Sequence, residues 1–211
     1  LDAGKYTANI KYTNKNYENN IKTTAFNVAK GNITLSIEVL DKVYGADVEG
    51  NVFASVDGNY VIVIGDITKI VSVKNGIGEF NLGILNVGDY NISVNYYENE
   101  NYNSNSNTTT FKVTETGTNF NIIANSTNIT HGEDIKITQK LPSDAKGTIT
   151  YTYANGTIIK VIKVDESFVL SNLDAGSYVI YGYYSGDTNH KSSRDSLTIT
   201  VNKAINNIIV S

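Results

Sequence analysis

The chain holds two histidines and no cysteine, which bounds the covalent chemistry it can offer. A thiol nucleophile and an internal thioester are both excluded. His190 follows Asp187 and precedes Ser192 and Ser193, the residue types of a nucleophilic triad. A triad needs a base held against its nucleophile and an oxyanion hole, and nearness along the chain supplies neither. The other imidazole, His131, lies far away in sequence, and both histidines fall in segments that read as loops. The chain is therefore read as non-enzymatic, with no catalytic residue and no cofactor. Glu133, Asp134 and Asp187 could contribute to a calcium site, but no Asp-Xaa-Asp-Xaa-Asp-Gly loop is present and solvated loop carboxylates are the commoner case. A Lys–Asn isopeptide crosslink would suit a cysteine-free array. It needs a lysine, an amide or carboxyl partner and an acid buried together, which sequence does not display.

Asparagine offers one more chemistry, as a glycan acceptor. Six Asn-Xaa-Ser/Thr sequons occur, at Asn32, Asn91, Asn107, Asn125, Asn128 and Asn155. With 29 Asn and 38 Ser plus Thr in 211 residues, chance alone gives about five. The number carries no signal, but position does. Asn107 and Asn155 fall in predicted loops, where a modifying enzyme could reach them.

These residues are positioned by a repeat. Leu-Xaa-Xaa-Gly-Xaa-Tyr occurs as Leu1–Tyr6, Leu85–Tyr90 and Leu173–Tyr178, at intervals of 84 and 88 residues. Recurrence at a domain-sized interval marks a tandem array. After each tyrosine the chain alternates: Tyr6, Ala8, Ile10, Tyr12; Tyr90, Ile92, Val94, Tyr96; Tyr178, Ile180, Gly182, Tyr184. Period two marks a strand with one buried face. A polar loop follows, then a closing run at Phe26/Val28, Phe111/Val113 and Ile199/Val201. The turn before the strand has the form of a tyrosine corner, in which a hydroxyl bonds back to the backbone upstream. Tyr6, Tyr90 and Tyr178 would be the corner residues, the glycine would relieve a tight turn, and Leu1, Leu85 and Leu173 would plug the core below. The alternative is that these are simply buried strand tyrosines. The shared register of glycine and tyrosine in every copy favours the corner.

The rest of the last whole unit reads as strands over residues 119–125, 133–140, 147–153, 157–164 and 168–170. Asn155-Gly156 signals a type I′ hairpin. The expected fold is all-β, a series of tandem Ig-like antiparallel β-sandwich domains of about seven strands each. The domains expected are residues 1–30, the F–G hairpin of a truncated repeat; 31–115 and 116–203, two complete repeats; and 204–211, the first strand of another. A lone hairpin cannot bury a core by itself.

The formal net charge is −4 and the lysines are scattered, so nucleic acid is not an expected partner. No apolar run is long enough for membrane insertion within this segment. Tyr (15) exceeds Phe (6), and a Tyr/Asn/Ser-rich composition is also that of adaptable recognition loops. The F–G loops are therefore the candidate ligand contacts, through Tyr17, Tyr102 and His190, which occupy equivalent places in the three copies. Polar loops around one apolar anchor are equally expected for structural reasons.

The runs DGNYVIVIGDITKIVSVKNGIGEFNLGILNVGDYNISVNYYENENY and LDAGSYVIYGYYSGDTNH resemble the tandem bacterial Ig-like repeats of archaeal adhesin-like surface proteins, known mostly from methanogens. Where Gly186-Asp187 stands in the last copy, the first two have Thr13-Asn14 and Glu98-Asn99. The resemblance implies an extracellular, cell-surface or cell-wall location. It also implies a structural spacer that projects a distal binding region, with neighbouring repeats of the same chain as partners. The alternative is that the repeats themselves contact cell-surface glycan or protein. It implies no catalytic or cofactor residues.

Overall fold

The computed structural model describes residues 1–206. All regular structure in these residues is β-strand. Two compact units form, one from Leu1–Lys42 with Ala46–Val113, the other from Thr114 onward with Val43–Gly45.

The first unit opens with a two-stranded sheet of β1 (Gly4–Asn14) and β2 (Tyr17–Val28), paired antiparallel from Gly4↔Val28 to Asn14↔Tyr17. Eight strands follow: β3 (Leu35–Val39), β4 (Lys42–Val43), β5 (Asp47–Ala54), β6 (Gly58–Ile64), β7 (Ile67–Val73), β8 (Ile77–Ile84), β9 (Gly88–Tyr96) and β10 (Asn105–Thr114). They make a three-stranded sheet, β3-β5-β8, and a five-stranded sheet, β4-β10-β9-β6-β7. The second unit repeats this plan with β11 (Asn121–Ala124), β12 (Asn128–Thr130), β13 (Ile135–Lys140), β14 (Thr148–Tyr153), β15 (Ile158–Lys163), β16 (Phe168–Leu170), β17 (Gly176–Tyr184) and β18 (Ser193–Asn202). Its sheets are β11-β13-β16 and β12-β18-β17-β14-β15. Each unit thus contains a two-sheet β-sandwich, to which unit one adds the separate β1–β2 hairpin. Eight strands appear where about seven were expected, because the first strand breaks and its second half crosses to the other sheet as β4 or β12. The first strand expected at 204–211 falls mainly on residues 207–211, outside the described residues.

The period-two alternation explains the sandwich. In β9, Ile92 and Val94 are fully buried while their neighbours face out; in β17, Ile180 and Tyr184 do the same. In unit one Ile37, Val52 and Phe80 of the other sheet are buried as well, and in unit two Ile180 and Tyr184 form one buried cluster with Ile135, Ile137 and Leu170. Burying each such side chain stabilises by roughly 1.5–3 kcal/mol, and no disulfide adds to this. In the β1–β2 hairpin the same alternation lies open. Leu1, expected to plug a core, is 89 % exposed, because no second sheet covers the hairpin among the described residues. Leu85 is half-buried and Leu173 is a core residue.

Turn chemistry divides the two Asn-Gly pairs. At Asn75-Gly76 both residues take positive φ (53° and 87°), and Lys74 and Ile77 exchange backbone bonds at 3.0 and 3.3 Å. That is a two-residue I′ hairpin. Asn155-Gly156, expected to be type I′, is not: only Gly156 has positive φ (84°). The Gly156 amide donates to the Tyr153 carbonyl and the Tyr153 amide to the Thr157 carbonyl, both at 2.9 Å. This is a type I turn closed by a glycine bulge, which twists the strands correctly with one positive φ instead of two.

At Gly182 the missing side chain matters. A Cβ there would stand 2.9 Å from both Phe120 Cζ and Ile122 Cδ1, so glycine in an inward position makes room for those residues. Gly182→Val is expected to destabilise unit two by about 1–3 kcal/mol through overpacking. Urea melts of the chain should show the loss, and Phe120→Ala in the same chain should recover part of it.

Candidate functional site

The three turn tyrosines share one geometry. The hydroxyl of each donates to the carbonyl four residues upstream: Tyr6 to Asp2 at 2.7 Å, Tyr90 to Asn86 at 2.7 Å and Tyr178 to Asp174 at 2.9 Å. Each tyrosine also stands opposite a residue of the closing strand, as Tyr6↔Phe26, Tyr90↔Phe111 and Tyr178↔Ile199. The Tyr6–Phe26 and Tyr90–Phe111 rings stack with centroids 5.6 and 5.2 Å apart. The glycine of the motif is not forced by backbone strain at Gly88 or Gly176, whose φ is not positive. An added Cβ would only reach ordinary contact with the tyrosine ring, at 3.6 and 3.9 Å. A left-handed residue precedes the motif in both units, at Gly83 (φ 74°) near the end of β8 and at Asn172 (φ 57°) after β16.

A fourth tyrosine, missed by sequence reasoning, uses the same contact. The fully buried Tyr60 donates to the Val56 carbonyl at 2.6 Å. Its signal was present: Gly58 stands two residues before Tyr60, as Gly4, Gly88 and Gly176 stand before theirs.

The F–G loops are built by an asparagine or aspartate that caps backbone amides. Asn99 Oδ1 accepts from the amides of Asn101 (2.9 Å) and Tyr102 (2.8 Å). Asp187 Oδ1 accepts from Asn189 (2.8 Å) and His190 (2.9 Å). Asn14 Oδ1 accepts from Asn16 at 2.9 Å in the hairpin. The capped loops are then tied by parallel bridges to the segments that lead into the sandwich strands, Gly31↔Tyr102 and Thr116↔His190.

These contacts place the three candidate ligand residues differently. Tyr17 is displayed, 70 % exposed at the start of β2, beside the β1–β2 turn. Tyr102 is half-buried with its ring over Gly31. His190 is only 3 % exposed and turned inward, so it presents no ring to a partner. Its Nδ1 lies 3.0 and 3.1 Å from the two oxygens of Asp187, and its Nε2 lies 3.4 Å from Asp144 Oδ1. Ser192 and Ser193 make no part of this grouping; Ser193 begins β18. Asp187 Oδ2 also accepts from the Lys146 amide at 2.6 Å. The Tyr184 hydroxyl has one proton and two acceptors, the Lys146 carbonyl at 2.7 Å and Asp187 Oδ2 at 3.0 Å.

Burial by itself would raise the Asp187 pKa. The amides of Lys146, Asn189 and His190 and the His190 ring outweigh it and hold the carboxyl well below the usual carboxylate range. Burial, then the Asp187 carboxylate, push the Tyr184 hydroxyl above the usual phenol range.

The remaining candidates are spread out. Glu133 caps its own turn by accepting from the Thr130 amide at 2.7 Å. His131 Nδ1 lies 2.9 Å from the Leu173 carbonyl oxygen. Among the described residues no three acidic, histidine or cysteine groups converge to hold a metal, and the only buried charged or polar residue is His190, so no buried lysine awaits a crosslink. Asn107 was expected in a loop. It lies instead within β10, half-buried and paired with Val94, because the closing strand starts at Asn105. Asn155 is exposed in the β14–β15 turn. Among the described residues no helix is long and apolar enough to cross a membrane.

No protein-family model matches the chain, and no curated protein matches it. Solved structures do. The fibronectin(III)-like modules of Clostridium thermocellum CbhA are 17 % identical, with a TM-score of 0.36 over 81 % of this chain and 95 % of theirs. The adhesin InvE of Yersinia pseudotuberculosis is 11 % identical, with a TM-score of 0.40 over 79 % of this chain and 58 % of its own. The structure of Dpr11 IG1 bound to DIP-gamma IG+IG2 is 11 % identical, with a TM-score of 0.35 over 80 % of this chain and 99 % of its own.

Two outcomes are expected from these contacts. Tyr60→Phe should cost about 1–3 kcal/mol, because a part-buried bond made by a fully buried tyrosine is lost, whereas Tyr178→Phe, whose bond is exposed, should cost about 1 kcal/mol or less; urea melts rank them. Asp187 titrates below its unfolded value, so its contribution is complete above about pH 4 and is lost as pH falls from there toward the depressed folded value. Asp187→Asn should lower neutral-pH stability by about 2–3 kcal/mol and flatten this acid dependence, as read by urea midpoints across pH.

Proposed function

We propose that the chain is a load-bearing spacer of a cell-surface, adhesin-like protein. Residues 31–115 and 116–203 are successive Ig-like repeats in this reading, and residues 1–30 are the closing hairpin of another. Standing outside the cell or on its wall, the repeats would project a distal binding region and do no catalysis themselves.

The observation that carries this reading lies in unit two. Its entering strand β12 pairs in parallel with its leaving strand β18, as Asn128↔Thr200, Ile129↔Val201 and Thr130↔Asn202. A pull on the two ends of the unit drags these neighbours in opposite directions along their length. The bonds between them lie across the strands and are loaded together in shear, not one after another. Further bonds flank this ladder: the Thr200 amide donates to the Thr127 carbonyl and the His131 amide to the Asn202 carbonyl, both at 2.8 Å.

The alternative, recognition of glycan or protein by the F–G loops, draws its support from the exposure of Tyr17. A glycan and whole-cell binding screen with Tyr17→Ala separates it: specific binding that this change abolishes favours recognition.

The spacer reading is tested by single-molecule pulling. Unit two drawn through its ends should resist a higher force than the same unit drawn through Thr148 and Lys163, a facing pair whose separation peels β14 from β15 bond by bond. Equal or weaker resistance through the ends would remove the mechanical argument. Forced unfolding follows the unfolding rate, so equilibrium stability alone cannot produce this difference.

A further inference from the structure

We propose that Asn155 is the N-glycan acceptor of the folded chain, selected from the six sequons by geometry. The proposal rests on the surface reading only for whether the chain meets a glycosylating enzyme in its own cell.

A transferase must bring the asparagine amide nitrogen to the anomeric carbon of a sugar and at the same time hold the hydroxyl residue two positions on. It therefore needs a sequon that protrudes, with its backbone free of a sheet and its amide nitrogen uncommitted. Three sequon asparagines fail on the first count because they lie within strands. Asn91 is in β9, paired with Thr110. Asn107 is in β10, paired with Val94. Asn128 is in β12, paired with Thr200, with its Oδ1 also taken by Asn202 Nδ2.

Two more lie outside strands but are pinned. Asn32 is followed by the buried Ile33, its Oδ1 accepts from Asn103 Nδ2 at 2.8 Å, and the Thr34 amide donates to Ser55 Oγ at 2.9 Å. Asn125 exchanges two bonds with Lys136: its amide donates to the Lys136 carbonyl at 3.1 Å, and its Oδ1 accepts the Lys136 amide at 2.8 Å.

Asn155 alone meets the requirement. Residues 154 to 157 are all exposed and belong to no strand. The Thr157 amide donates to Asn155 Oδ1 at 3.0 Å, which folds the sequon back on itself and brings the hydroxyl residue toward the acceptor amide. With the oxygen engaged and the residue exposed, the nitrogen makes no hydrogen bond among the described residues. The turn is anchored from below by the Tyr153 bonds to Gly156 and Thr157, so this geometry is built in and costs the transferase no rearrangement of a sheet.

The co-reactant is an oligosaccharide joined to a polyprenyl carrier through phosphate or pyrophosphate. Asn155 Nδ2 forms the new bond to the anomeric carbon. The bond from that carbon to the phosphate oxygen breaks, the carrier phosphate leaves with the bonding pair, and the amide gives one proton to a base of the transferase.

The experiment supplies both enzyme and donor. The folded chain is incubated with a purified single-subunit oligosaccharyltransferase that accepts Asn-Xaa-Ser/Thr and with a lipid-linked oligosaccharide, beside an acceptor peptide as control. Intact mass and glycopeptide mapping should find one glycan, on Asn155. It should vanish in Asn155→Gln and in Thr157→Ala and persist in Asn107→Gln and Asn125→Gln. The urea-unfolded chain should gain glycans at further sequons. A glycan on a different asparagine of the folded chain, or an unmodified folded chain beside a modified peptide, overturns the assignment. Matching urea melts of the variants and the parent show that lost transfer is not lost folding. Because enzyme and donor are supplied, failure here removes the acceptor site and leaves the spacer reading standing.

Discussion

Everything in each unit depends on covering one face of the strand that follows the Leu-Xaa-Xaa-Gly-Xaa-Tyr turn. The chain has no disulfide with which to hold two sheets together, so the sheets must be joined by what they bury. β9 and β17 supply the centre of that contact, with Ile92, Val94, Ile180 and Tyr184 closed off from water. The β1–β2 hairpin provides an internal control. It carries the same alternation and the same hydroxyl-to-carbonyl contact at Tyr6, yet Ile10 remains 66 % exposed. Local geometry therefore forms the hairpin, while burial requires the second sheet.

The loops inherit their form from this arrangement. Once the two long closing strands are in register, the connection between them must return across the end of the sandwich. Asn99 and Asp187 solve the same problem by capping two successive amides. The substitution of a carboxylate for an amide in unit two allows more. Asp187 binds the Lys146 amide, the His190 ring and the Tyr184 hydroxyl at once, which an amide side chain with one acceptor oxygen could not. A residue set that looks like catalytic chemistry along the sequence, Asp187 with His190, is thus occupied in holding a loop. Its hydrogen bonds favour the ionised carboxylate, a structural use of charge.

Elements with a strong period were legible without coordinates. Residues 133–140, 147–153, 157–164 and 168–170 were read as strands, and β13, β14, β15 and β16 lie within them. The two crossing strands, β4 and β12, were not foreseen. They are two and three residues long, too short to display any alternation, and they exist only because a neighbouring closing strand offers an open edge. Asn155-Gly156 looked like Asn75-Gly76 but closes with a different turn, since the strand twist around it is met with one left-handed residue. The role of His190 was equally hidden: its residue type suggested display, and its burial is set by groups far away in sequence, Asp144 among them.

By itself the sequence determined the all-β class, the repeat, the inward face of each long strand and the tyrosines placed to bond back across a turn. These follow from periodicity and from contacts spanning four residues, which are local and so written locally. Tertiary structure alone decided which sequon stands free, which loop residue is turned inward, how the first strand splits between two sheets, and that the entering and leaving strands of unit two run side by side. These depend on partners in other strands and loops, such as Asn128 with Thr200 and His190 with Asp144, and no local pattern encodes a contact whose other half lies in another strand.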